Sequence, residues 1–193
     1  MTEKVKLNRD DLLRAEYEYI ANTAFQANED RARVSSFYFV SVGSLVAAIL
    51  GTQFAGDNLR GVAIPFFLLF LVMTALGALT MAQLARLRAA WHESVQAMNQ
   101  MKDFYLASHP EIEPAFKWRA TTIPPTNKRY SIANFIAIEV ALLSSLTSAS
   151  AIYFLLLAIS EIKWWGWGLT MLAFPAGYVL LWTAYKKLLV DDR

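Results

Sequence analysis

From Val62 to Leu84 the chain runs for 23 residues without one charged side chain. An apolar run longer than about 18 residues marks a segment able to cross a lipid bilayer. In lipid the backbone must satisfy its own hydrogen bonds, which leaves only helices and closed barrels. The run shows no strand-like alternation, so a helix is predicted. Three further runs follow the same logic. Val34 to Ala55 carries no charge, residues 132–160 carry only Glu139, and Trp164 to Tyr185 carries none. At about 1.5 Å per residue each covers a hydrocarbon core about 30 Å thick. The expected fold is therefore all-α: an integral membrane four-helix bundle made of two antiparallel transmembrane hairpins. Composition agrees, because 56% of the 193 residues are hydrophobic and 18% charged, against about 45–50% and about 25% in soluble domains. A freely soluble enzyme is not expected. A net charge of +2 is too mild to predict nucleic-acid binding. The chain has no cysteine, which excludes disulfides and thiol chemistry.

Two connections are short: residues 56–61 join the first pair of spans and residues 161–163 the second. The middle connection, residues 85–130, is long and polar. Lysine and arginine set the orientation. Residues 1–33 hold six, residues 85–130 hold seven, and the tail after Tyr185 holds three; the short turns hold only Arg60 and Lys163. That bias places both termini and the middle segment on the cytoplasmic side of a bacterial inner membrane.

The polar parts are expected to be helical too. Leu13, Tyr17, Ile20, Ala24, Ala27 and Val34 fall on a 4-3-4-3 spacing, with Arg31 in the remaining slot, a seam of period 3.5. Asn8 or Asp10 can cap its start. No Gly or Pro occurs before Gly43, so this helix should continue into the first span. Leu87, Trp91, Val95, Met98, Met101 and Tyr105 extend the second span likewise, until Ser108-His109-Pro110. The predicted units are thus residues 1–110, a helical hairpin whose legs (10–33 and 85–108) pair in the cytoplasm; residues 111–130, a Pro-containing linker; and residues 131–193, a second transmembrane hairpin. Phe116 and Trp118 in the linker suggest that it docks. Trp164, Trp165 and Trp167 read as an outer aromatic belt, Trp182 and Tyr185 as an inner one.

Glu139 leads the candidate functional residues, since an acid inside a span points to ion or proton passage. The competing reading puts it at the headgroup level near Lys128, Arg129 or another arginine, because Val140 to Ile159 can span alone. Arg31, Arg33, Arg86, Arg88, Lys128 and Arg129 form a collar at the cytoplasmic ends of the spans. It suits anionic lipid or a charged ligand, or merely records the topology rule. Gly43, Ala47 and Gly51 on the first span, and Ser144 and Ser148 on the third, recur at i, i+4. Small residues so spaced let helices approach closely, within a bundle or between copies. Arg86 and His92 have the spacing of the ribonuclease R-x₄₋₆-H pair, but so loose a pattern arises often by chance. There is no P-loop, GxGxxG or GxSxG, and no His four residues beyond His92. No catalytic residue, cofactor or metal site is predicted.

The stretch that includes Asn28-Glu29-Asp30-Arg31-Ala32 is a polar helix ending in an acidic-basic cluster before a two-span hairpin. Over residues 15–110 it resembles the SLATT-type and Pycsar-type small membrane effectors of bacterial antiphage defence. Those modules have two spans, whereas this chain has four and no recognisable sensor domain. The resemblance implies a non-enzymatic effector that self-associates and damages the inner membrane. The alternatives are an assembly subunit docking a cytoplasmic protein through its hairpin, and a small channel or transporter using Glu139.

Overall fold

The computed structural model describes residues 8–51, 59–160 and 162–190. Among them the protein is all-helical: α1 (Arg9–Gly51), α2 (Ala63–Ser108), a 3-10 turn at Pro110–Ala115, α3 (Ile132–Ile159) and α4 (Trp164–Val190). Each of the four helices is long and apolar enough to cross a membrane, by length and composition. Asn8 starts α1, its Oδ1 accepting from the Asp10 amide at 3.3 Å. With no early Gly or Pro, α1 runs 43 residues and α2 runs 46, about 65 and 69 Å. Each is twice the length a bilayer needs, so the apolar half and the polar leg of each form one continuous rod, as the spacing predicted. Pro65 sits in the first turn of α2, where its missing amide costs nothing. Ser131 caps α3, accepting from the Asn134 amide. α4 continues through Pro175.

The bundle is open rather than closed. α1 packs on α2, α2 on α3 and α3 on α4; α2 also reaches α4, while α1 touches α3 only slightly. The shared core gathers where the polar legs begin. Tyr38 and Val42 of α1, Leu84 and Ala85 of α2, Ala137 and Val140 of α3, and Tyr185 and Leu189 of α4 bury against one another there. On the opposite face of α1, at the same level, Phe37 and Val40 are each 67% exposed.

The Ser/Ala richness of α3 follows from its place between two neighbours. Ser144 and Ser145 are both fully buried, and successive helical residues point about 100° apart. Ser144 faces α2, donating to the Thr74 carbonyl at 3.3 Å. Ser145 lies against Gly177 of α4 and returns its own proton to the Ala141 carbonyl at 2.6 Å. Thr74 and Thr147 hydroxyls meet at 3.1 Å. At Gly77 α2 comes close to both neighbours: a Cβ there would stand 2.5 Å from Ser144 Cβ and 2.7 Å from Tyr38 Oη.

The polar legs pair antiparallel. Leu13 and Ile20 share a groove with Ala97 and Met101, and Tyr17 another with Met101 and Tyr105. Ala24 and Ala27 are buried in the seam. The segment after the 3-10 turn is a strap running back along α2. Arg119 Nε bonds Asp103 at 3.0 Å and Arg119 also pairs with Glu113; further on, the Thr126 carbonyl accepts from Arg88 Nε at 3.0 Å. Asp103 and Arg88 lie about 22 Å apart along the helix. The stretch from Arg119 to Thr126 opens with a turn, in which the Thr122 amide donates to the Arg119 carbonyl at 3.0 Å, and Pro124 and Pro125 favour an extended course beyond it; the long Arg119 and Arg88 side chains supply the rest of the reach. Phe116 lies half-buried under Lys102, 5.7 Å from the ring. Trp118 does not dock; it is 53% exposed.

Candidate functional site

The predicted collar separates into three pairs. Arg31 and Arg88 point inward. Arg31 follows Ala24 and Ala27 along the buried face of α1, and Arg88 follows Leu84 along that of α2. Arg31 Nη2 donates to Asn28 Oδ1 at 2.7 Å, while its Nη1 is buried without a partner among the described residues. Arg88 is 7% exposed, holds the Thr126 carbonyl and stacks over Trp91 at 4.4 Å. No carboxylate among the described residues pairs with either guanidinium. Burial pushes both below the usual arginine range, and for Arg88 the nearby Arg31 charge pushes the same way. Arginine nevertheless stays protonated in proteins, so two positive charges share a partly dry site. Tyr185 is 5% exposed, which corrects its assignment to an aromatic belt: it belongs to the shared core with Tyr38, Leu84 and Ala137 and stacks on Trp182. Trp164, by contrast, is 87% exposed.

Lys128 and Arg129 form the second pair. They line a cavity of about 330 Å³ between the strap, the start of α3 and the end of α4. Lys186 lines it from the other side, 5.6 Å over the Trp182 ring. Thr126, whose carbonyl holds Arg88, also lines this cavity, so Arg88 adjoins it. Tyr130, also in the lining, has φ 59°. A left-handed conformation costs a non-glycine residue about 1–2 kcal/mol; here it turns the chain sharply from the strap into α3. The third pair, Arg33 and Arg86, is exposed, with Arg33 pairing with Asp30 at 3.4 Å.

The other candidates divide too. Ser144 is a packing residue and Ser148 is half-buried beside it. Gly43 and Ala47 lie on the open side of α1, and a Cβ at Gly43 would meet nothing within 4 Å. As a packing face within one chain these two are corrected: α2 covers the opposite side of α1, through Tyr38 and Val42. The surroundings of Gly51 lie outside the described residues. Glu139 is exposed, on the outward stripe of Phe135, Leu142 and Leu146. Its expected partnership with Lys128, Arg129 or another arginine is absent among the described residues. An acid on the outside of the bundle serves no path through the middle of one chain. Glu139→Gln should therefore change proton or ion leak from liposomes by less than twofold; abolition of a robust wild-type leak would restore Glu139 as a permeation residue.

Tyr38 and Gly77 were not singled out from the sequence. Tyr38 Oη sits beside the Ser144 and Thr147 hydroxyls without a well-formed hydrogen bond. Among the described residues no cluster of His, Cys, Asp or Glu could hold a metal. Comparison with protein-family models, with curated proteins and with solved structures finds no match.

Proposed function

We propose that the chain is a non-enzymatic integral protein of a bacterial inner membrane that acts as a self-associated assembly. Both termini and the paired legs lie in the cytoplasm, and membrane perturbation as a defence effector is the activity. The observation that carries this reading is the open bundle. Close contact among Gly77, Ser144 and Tyr38 leaves no room for a water path along the α2–α3 crossing. Any perturbation of the bilayer must then come from several copies together. α1 offers the surface, because Gly43 and Ala47 flank exposed Phe37 and Val40 on the side away from α2. Small residues on an apolar face favour helix association in lipid. The antiphage role draws on the resemblance over residues 15–110 and on nothing else.

The test uses the absence of native cysteine. Ala47→Cys, expressed in bacterial membranes and treated with a bifunctional maleimide, should give inter-chain dimers. Tyr153→Cys, at the half-buried α3–α4 side, should give far less. Monomer alone from Ala47→Cys would remove the proposed interface. Topology is checked by reporter fusions at Asp57 and Arg193. A periplasmic signal is expected at the first and a cytoplasmic one at the second; a periplasmic C-terminus would overturn the orientation.

A second reading rests on the polar legs. Leu12, Tyr19, Phe25 and Phe104 are all more than half exposed, on helices too polar there to lie in lipid. That suits an assembly subunit holding a soluble partner. In that case truncating these side chains abolishes activity while the Ala47→Cys crosslink persists.

A further inference from the structure

The cavity between the strap, the start of α3 and the end of α4 is lined by Lys128, Arg129 and Lys186 and by no acidic residue. Behind it lie two more positive charges, buried Arg88 and half-buried Arg31, without carboxylate partners among the described residues. Five like charges around one volume repel one another, and a bound anion relieves that repulsion most where water is partly excluded. The cavity has a mixed lining: Trp182, Ala133 and Leu189 form apolar wall beside Asn127, Ser131 and Asn134. The cavity also sits where the apolar stretch of α4 gives way to Lys186 and Lys187, the depth at which headgroups meet a span.

We propose that this cavity binds a phosphate monoanion or diester, and that its source is the headgroup of an anionic phospholipid. Lys128, Arg129 and Lys186 contact the phosphate, and Trp182 and Leu189 contact the glycerol and upper acyl carbons. The volume, about 330 Å³, admits a headgroup and not a whole lipid, so the tails leave along the outer face of α4, where Val179 and Leu180 are exposed. Arg31 and Arg88 contribute potential rather than contact.

The inference rests on the membrane-embedded reading. That reading fails separately if alkaline carbonate releases the chain from membranes. The test is native mass spectrometry of the full chain in neutral detergent with added phosphatidylglycerol. Wild type should retain one phosphatidylglycerol per chain in preference to phosphatidylcholine. The triple variant Lys128→Gln, Arg129→Gln, Lys186→Gln should bind it on the order of a hundredfold more weakly, since each basic residue near a lipid surface contributes about a tenfold or smaller factor. A charge-matched control, Arg33→Gln, Arg60→Gln, Lys163→Gln, should bind as wild type does. All six side chains are exposed, and unchanged helix content by circular dichroism confirms folding; Lys128→Arg should keep binding. Equal loss in both triple variants would overturn the site in favour of diffuse charge. Displacement of phosphatidylglycerol by millimolar inorganic phosphate, or phosphate binding without lipid binding, would overturn the lipid source.

Discussion

Replacing Gly77 with alanine should destabilise the protein by about 2–3 kcal/mol, and valine should abolish folding. A Cβ at position 77 meets Ser144 Cβ at 2.5 Å and Tyr38 Oη at 2.7 Å, and neither can step aside. Ser144 is fully buried and Tyr38 is 1% exposed; both are held in the core shared by all four helices. Added carbon in a close-packed interior forces shifts costing about 1–3 kcal/mol, and here one added carbon strikes two neighbours at once. The measurement is thermal or denaturant unfolding of purified protein in detergent. Gly77→Ala combined with Ser144→Gly should recover part of the loss, because the second change removes the nearer of the two obstacles. A Gly77→Ala protein as stable as wild type would show that α2 and α3 do not cross there. Gly168→Ala on α4 is the internal control: with nothing within 4 Å, it should leave stability unchanged or raise it by up to about 1 kcal/mol, the helix preference for alanine.

Gly43 and Gly77 show where sequence reading succeeds and where it stops. Both sit in apolar runs, and Gly43 has the more conspicuous pattern, with Ala47 four residues on. Yet Gly43 faces outward and Gly77 lies where a Cβ would strike Ser144 and Tyr38. A small-residue stripe says that a close approach is possible on that face; it does not say which helix, or which copy, makes it. The continuity of α1 and α2 was legible because no Gly or Pro interrupts their polar halves, so no local signal ends either helix. The collar was legible in composition but not in geometry. Arg31 and Arg33 are two residues apart, as are Arg86 and Arg88, and two residues turn a helix by about 200°. One of each pair must therefore point in when the other points out. Arg31 already occupied a slot in the apolar seam, which was the signal that it turns inward and is half-buried. Lys186 and Tyr185 escaped notice as site residues because the chain brings the tail of α4 to residues 126–131 only through tertiary packing. The course of the strap was likewise invisible: its anchors, Asp103 and Arg88, are 16 and 38 residues from their partners.

The strap also yields a test in which stability and attachment part company. Arg88→Met removes a charge-assisted hydrogen bond to the Thr126 carbonyl, about 1.5–3 kcal/mol, and a stacking contact with Trp91, about 1 kcal/mol. It simultaneously removes a buried charge beside Arg31 that no carboxylate balances, and a buried ion replaced by an apolar side chain of similar volume is often neutral or stabilising. The global unfolding midpoint of Arg88→Met should therefore move little. The strap, however, loses the anchor nearest α3, and local opening rises with the energy of the bond removed. Trypsin cleavage at Lys128 and Arg129 should accelerate about tenfold or more. Arg88→Lys separates the two effects. Lysine keeps the charge and the repulsion with Arg31 but lacks the planar fork that donates sideways while stacking on an indole. Cleavage should accelerate as much as in Arg88→Met, while the midpoint falls below both wild type and Arg88→Met. The conservative substitution is thus expected to be the more damaging one. If Arg88→Lys matched wild type in cleavage and midpoint, Arg88 would be serving as a generic positive charge rather than as the clasp that ties the strap to α2.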